Sequence, residues 1–296
     1  MKKLVEISPR QLTYALSMVP GLGDKAVARV TTRNELIGTK PHEFLALSPE
    51  ALREDYRFGL KPAALWHDHK EEYLKTAAES LQLLDSFGVV FATPVEPHYP
   101  EALTEFHPDP PGLLFFYGNH NLVKRPTFGI FSSRKTSRAG LEAIDKAAEE
   151  GVLNGEVLVS GHDTPEYQRS AIAPLRWGAP RILVLTRGFF QALGPELKSE
   201  PFRAARLWRF QFDPTVDLVI SAVGPLSTSH RNANRERDAL AASLCRRLDF
   251  VEVAPKGNME MLVKQGIASG RKVRVGDMSE NARQYFALGA SALPMS

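Results

Sequence analysis

Short apolar runs recur through the latter two-thirds of this chain: "TFGIFS" from Thr127, "EVLVSG" from Glu156, "RILVLT" from Arg181, "DLVISA" from Asp217, "DFVEVA" from Asp249 and "KVRVG" from Lys272. They constrain the fold more than any other feature. Taken together they are apolar without clean alternation, so they read as strands buried on both faces. Several of the segments between them, 138 to 150, 165 to 177 and 257 to 269, have the length of a crossover helix. Strands without alternation, separated by helices, predict an α/β fold with an extended, Rossmann-like, mostly parallel sheet. Ligands of such sheets bind beyond the carboxyl ends of the strands, near the point where strand order reverses. The loops of interest are therefore Ser132 to Arg138, Ser160 to Asp163, Thr186 to Phe189, Ala222 to Pro225 and Ala254 to Met259.

The first third has a different texture. "SPRQLTYALSMV" opens with a serine cap and spaces Leu12, Ala15, Leu16 and Val19 along one helix face. "SPEALRED" repeats the pattern, and "KPAALWHDHKEEYLKTAAESLQLLDSFG" ends at Gly88, a helix-terminating position. Residues 1–87 are expected to form a small helical domain and 88–296 the α/β domain, the texture changing between residues 85 and 100. Within the first, "VPGLGDKAVARV" has the helix-hairpin-helix form found in SAM-like domains. Its Gly-x-Gly turn either offers backbone NH groups to a nucleic-acid phosphate, with Lys25 and Arg29 adding charge, or serves a tight corner between helices. The near-neutral charge of this part favours the corner.

Charge and cysteine usage narrow the class. The chain has 296 residues and a net charge of +3, with 12 basic and 13 acidic side chains in residues 1–98 against 25 and 21 in the remainder. The single cysteine, Cys245, excludes an intramolecular disulfide framework and a zinc cluster of CxxC type. No stretch of about 18 apolar residues suggests a membrane span, and no apolar segment backs the basic start "MKKLVEISPRQL". The expected setting is the cytoplasm, with no membrane partner.

"FGIFSSRKTSRAG", 128 to 140, carries the most chemistry. A strand that ends in Ser132, Ser133 and Arg134, with Lys135 following and a helix behind, aims hydroxyls, cations and helix NH groups at one point, as a phosphate requires. "SGHD" adds Ser160 and Gly161 after the second strand, the glycine permitting close backbone approach. "APKGNMEML" places Lys256, Gly257 and Asn258 at the head of a helix after the fifth strand. Convergence of these strand ends predicts a phosphate-bearing ligand. His67 and His69 near Glu71 and Glu72 read as a solvated helix face rather than a metal pair. His162 and Asp163 lack a nucleophile motif, so no catalysis and no cofactor are expected. "FRAARLWRF" either stacks bases or forms one amphipathic helix that buries Phe202, Leu207, Trp208 and Phe210; the buried helix is the expectation.

In order as well as type, "HYPEAL", "DPPGLLFFYGN", "FGIFSSRKTSRAG", "VLVSG", "WGAPRILVLTRGF", "VISAVGP", "RERDALAASL" and "DFVEVAPKGNMEMLVKQGIASGRKVRV" resemble the DNA-processing protein A family, also called Smf, over roughly residues 10–280. The resemblance implies an extended Rossmann fold behind a helical domain. It implies single-stranded DNA binding, homodimerisation, and delivery of the strand to a RecA-type recombinase during natural transformation, with no enzymatic step. It also places two cations, Arg235 and Arg237, at the site, where the family's Arg-Asn-Arg segment becomes Arg235-Glu236-Arg237. Other departures fall at the ligand loops. Ser132-Ser133-Arg134 stands for Gly-Ser-Arg, the middle of the Ser-Gly-Leu-Ala motif is lost after Gly161, and Lys256-Gly257-Asn258-Met259 stands for Ser-Gly-Ser-Leu. Two other functions fit the same fold: a Rossmann-type sensor of a nucleotide ligand, and a partner-binding scaffold that has lost its pocket. In the phosphoribohydrolase pattern a catalytic glutamate is required where this chain has Val263, which argues against that enzyme.

Overall fold

A computed structural model describes residues 7–107, 109–133, 135–228 and 233–294, with only the backbone of 203 and 204. The chain forms two compact units, Met1–Tyr99 with Pro111–Leu114, and Pro100–Pro110 with Phe115–Ser296.

The first unit contains α1 (Pro9–Ser17), α2 (Asp24–Ile37), α3 (Pro41–Leu45), α4 (Pro49–Tyr56), α5 (Leu60–Ser86) and the short strand β1 (Val90–Ala92). Ser8 and Ser48 cap α1 and α4 through their hydroxyls, satisfying backbone donors that have no partner within the helix. Leu12, Ala15, Leu16 and Val19 are buried, the face anticipated from their spacing. A bidentate ion pair from Arg10 to Asp85, at 2.9 and 2.6 Å, and a bond from the Gln11 amide to the Leu74 carbonyl join α1 to α5. At the Gly-x-Gly turn, Gly21 takes φ +82°, a conformation that favours glycine. The start of α2 is covered by the unit's own chain. Gly112 donates its NH to the Asp24 carboxylate at 2.7 Å and lies so close that a Cβ there would stand 2.3 Å from the Asp24 carbonyl oxygen. Arg29 donates to the carbonyls of Tyr56 and Arg57 at the end of α4. Both observations support a corner role for this turn, although Gly21 and Gly23 themselves are exposed.

In the second unit, α6 (Glu101–Phe106) and β2 (Leu114–Gly118) precede β3 (Thr127–Phe131), α7 (Arg138–Leu153), β4 (Val157–Ser160), α8 (Pro165–Ser170), α9 (Ile172–Arg176), β5 (Arg181–Val184), α10 (Phe189–Leu193), β6 (Leu218–Ser221), α11 (Ala233–Leu244), β7 (Arg247–Phe250), α12 (Asn258–Ala268), β8 (Lys272–Gly276), α13 (Ala282–Ala287) and β9 (Ser291–Leu293). The strands lie in the order β2-β6-β5-β4-β3-β7-β8-β9, parallel except where β2 pairs antiparallel with β6. This is the expected Rossmann-like sheet. Its central strand β3 is buried along its whole length. Phe128 of β3 packs against Gly151 of α7, where a Cβ would meet the ring at 2.3 Å.

The segment after α10 departs from expectation. Phe202 and Ala205 are buried, but Arg203–Leu207 is a 3-10 turn, and Leu207, Trp208 and Phe210 are 81, 41 and 75% exposed. A single isolated bridge between Ser199 and Gln211 and an ion pair from Arg209 to Asp217 at 2.5 Å hold the loop closed in a form too short to bury all its aromatic residues.

Beneath it, Arg181 is wholly buried between two carboxylates, Asp217 at 3.0 Å and Glu200 at 2.5 Å. Burial pushes the Glu200 carboxyl above its usual range, and Arg181 opposes that shift. Removing Arg181 would leave Glu200 desolvated without compensation, while Asp217 would keep Arg209. Arg181→Ala is expected to cost roughly 3–5 kcal/mol in urea denaturation; an unchanged midpoint would show that the pair contributes nothing.

Candidate functional site

The chain runs from β3 outward through β4, β5 and β6, then returns to the other side of β3 as β7. Strand order therefore reverses between β3 and β7, the place where open α/β sheets bind ligands. A cavity of about 460 Å³ opens there, within the range of small-ligand sites. Ile130, Ser132 and Ser133 line it from β3 and its loop, and Thr164, Glu166 and Tyr167 from the start of α8. Arg235, Arg237 and Asp238 come from α11, while Gly257, Asn258 and Met259 come from the loop entering α12.

The structure gives the residues expected from sequence distinct positions. Ser132, Ser133, Arg235, Arg237, Gly257 and Asn258 line the cavity, whereas Lys135, Ser160, Gly161 and Lys256 do not. Arg134 lies outside the described residues, as does Arg231 of the neighbouring basic cluster. Lys135 and Lys256 are exposed, both with positive φ (66° and 59°), on the loops after β3 and β7. Arg235 is exposed at the cavity, its only hydrogen bond among the described residues being to the Met261 sulfur at 3.4 Å.

Several of these groups are engaged by the protein itself. The Ser133 hydroxyl accepts from the Ala254 NH at 2.8 Å, and the Ser133 NH donates to the Glu252 carbonyl at 2.8 Å, so the β3 and β7 loops are stitched together. The Ser132 and Thr136 hydroxyls are hydrogen-bonded to each other at 2.8 Å. The amino end of α7, read from sequence as a seat for phosphate, already holds an anion. Glu252 accepts from the Ser137 NH at 3.2 and 3.1 Å and from the Ser137 hydroxyl, while that hydroxyl caps the Gly140 NH. A second anion in the same place would meet this carboxylate.

Arg237 is likewise occupied. It is 4% exposed, donates to Asp238 at 3.0 and 2.7 Å and to Asp163, and stacks over the Tyr167 ring at 4.8 Å. Gly161 is needed for this packing: a Cβ there would stand 2.7 Å from the Tyr167 ring and 2.8 Å from Arg237. The close approach that its lack of a side chain permits is made by those two residues. Ser160 is fully buried, and its hydroxyl has no partner among the described residues.

Sequence reasoning missed Thr164, Glu166, Tyr167 and Asp238. Tyr167 donates its hydroxyl to Asp238 at 2.6 Å, and Asp238 also accepts from the Asn258 amide at 3.2 Å. Burial, followed by the neighbouring Asp238 charge, holds the Tyr167 phenol well above its ordinary value. The available signal was "DTPEY", a threonine cap with proline at the first helical position, which fixes a helix start directly behind the Ser160 loop.

Beside this network, His162 is 6% exposed, and burial pushes its imidazole down to about 4; Arg187 and Arg237 add to the fall and Asp163 opposes it. The native protein therefore keeps His162 neutral where the unfolded chain, titrating near 6.5, binds a proton. Stability associated with this group is full above pH 6.5 and declines as pH falls toward 4, by about 3 kcal/mol in total. His162→Gln is expected to remove that part of the pH dependence, read as the difference between wild-type and variant denaturation curves at several pH values. Parallel curves would rule it out.

Among the described residues no group of three or more His, Cys, Asp or Glu is placed to hold a metal ion, and no helix is long and apolar enough to cross a membrane. The profile of the DNA recombination-mediator protein A family matches residues 90–293. The DNA processing protein DprA of Streptococcus pneumoniae is 26% identical over 178 residues, which are 59% of this chain and 58% of that protein. The chain thus aligns with less than two-thirds of that relative's length. In three dimensions, the X-ray structure of DNA processing protein A from Streptococcus pneumoniae superposes with a TM-score of 0.67 and 21% identity, covering 95% of this chain and 92% of that one. A Helicobacter pylori DNA processing protein A structure, described for its single-stranded DNA binding mode, superposes with a TM-score of 0.52 and 15% identity, covering 69% and 90%.

Proposed function

This chain belongs to the DNA recombination-mediator protein A family, and we propose that it binds single-stranded DNA across the strand ends of its parallel sheet without cleaving it. The observation that carries this reading is the set of exposed cations, Lys135, Arg235 and Lys256, around the cavity-bearing switch point. None of them lies within ion-pair distance of a carboxylate among the described residues, although Glu260 binds the Lys256 NH and bears on its charge, so Lys135 and Arg235 remain the cations most open to a polyanion. Arg237, by contrast, acts as a structural cation. The role extends, as the family's name suggests, to mediating recombination: a cytoplasmic homodimer that passes its strand to a RecA-type recombinase.

The test is fluorescence anisotropy of a labelled single-stranded oligonucleotide across a salt series, with duplex and free nucleotides as competitors. Affinity is expected to fall steeply with salt as counterions are released. Arg235→Ala and Lys256→Ala should each weaken binding severalfold and reduce the log–log salt slope by about 0.7, the contribution of one phosphate contact on a single strand. Arg237→Ala should instead lower stability by roughly 3–5 kcal/mol, because it strands the Asp163 and Asp238 carboxylates. Absence of binding at low salt would overturn the proposal. Displacement by a mononucleotide alone would favour the second reading, a nucleotide sensor, for which the cavity volume is the supporting observation.

A further inference from the structure

The cavity at the switch point is lined by apolar side chains and, among its polar ones, by the Glu166 carboxylate. Ile130, the Tyr167 ring and Met259 supply buried surface of the kind that packs against the face of a flat heterocycle. At the edge, Glu166 accepts only one hydrogen bond among the described residues, from the Thr136 hydroxyl at 3.2 Å, which leaves most of its carboxylate open. The Asn258 side chain is oriented by Asp238: a carboxylate takes donors, so the amide nitrogen must face it, at 3.2 Å. That orientation leaves the Asn258 carbonyl oxygen buried with no partner among the described residues. With no accessible surface, that oxygen is not presented to the cavity, and Glu166 is the acceptor open to a ligand.

A phosphate entering beside Glu166 would meet a like charge. A ring with N–H groups on its edge would satisfy that carboxylate. Resting on the single-stranded DNA reading, we propose that the cavity receives one unstacked nucleobase and that Glu166 selects guanine over thymine. Guanine carries adjacent N1–H and N2–H donors, which match the two oxygens of a carboxylate. Thymine has one N3–H flanked by two carbonyls, which would face the Glu166 charge. Adenine and cytosine each present an amino group beside a ring acceptor, and so match only half of such a carboxylate. The strand's phosphates would then lie outside, near Arg235.

The test compares a thymine oligonucleotide with one bearing isolated guanines, and with the same strand bearing hypoxanthine, which keeps N1–H and lacks the 2-amino group. The guanine strand should bind about tenfold tighter than the thymine strand. Hypoxanthine should lose most of that gain, a result that requires no protein variant. Glu166→Gln, which replaces an acceptor by a donor, should collapse the guanine-to-thymine ratio toward one. Equal affinity for all three strands, or a preference that persists in Glu166→Gln, overturns the assignment. If no oligonucleotide binds, the strand-binding reading falls, and calorimetry with dGMP and dTMP decides the base site on its own. Selective uptake of dGMP would uphold a guanine seat that serves a free nucleotide; equal binding of the two, or none, would overturn it.

Discussion

A single carboxylate, Asp238, holds together the walls of the candidate site. It is 7% exposed and receives the Tyr167 hydroxyl from α8, the Arg237 guanidinium from α11 and the Asn258 amide from α12. A buried charge is tolerated only when its lone pairs are met by donors. That requirement fixes three helices relative to one another. It also accounts for residues that otherwise have no common reason: glycine at 161, because Arg237 and Tyr167 fill the space of a side chain, and asparagine at 258, because its amide completes the set.

The same logic redistributes the site's chemistry. In the loop pattern read from sequence, the hydroxyls and the amino end of α7 were the natural seat for phosphate. In the folded chain Glu252 occupies that helix end, the Ser133 hydroxyl bridges to Ala254, and Arg237 is neutralised by Asp163 and Asp238. Charge available to a polyanion is left on the exposed Lys135, Arg235 and Lys256, while the cavity keeps the open Glu166 carboxylate. Cations outside and acceptors inside suit a ligand that is anionic along its backbone and carries N–H donors on its rings.

Much of the architecture was legible because burial leaves a direct trace in composition. The apolar runs at 127, 156, 181, 217 and 272 became β3 to β6 and β8 in a sheet covered by helices, whereas β7 (Arg247–Phe250) starts two residues before the run at 249 and shares only Asp249 and Phe250 with it; the spacing of Leu12, Ala15, Leu16 and Val19 became a buried helix face. The segment around Trp208 was misread for a physical reason. Its mixture of arginines and aromatics is compatible with an amphipathic helix, but a 3-10 turn pinned by Arg209 and Asp217 presents Leu207 and Phe210 to solvent. Neither the bridge between Ser199 and Gln211 nor the antiparallel pairing of β2 with β6 leaves a periodic signal, since both depend on partners distant in sequence.

By itself the sequence determined a helical first part, a mostly parallel sheet behind it, and the loops at which a ligand should be sought, because hydrophobic period and turn chemistry are local properties. The tertiary structure decided which charges remain free. Arg235 and Arg237 are two residues apart in one short stretch and look equivalent as letters, yet one is exposed and the other is buried against two carboxylates. That difference comes from Asp163 and Tyr167, some seventy residues away in the chain, which only the fold brings to Arg237. Electrostatics depends on distance in space, and no spacing in the sequence records it.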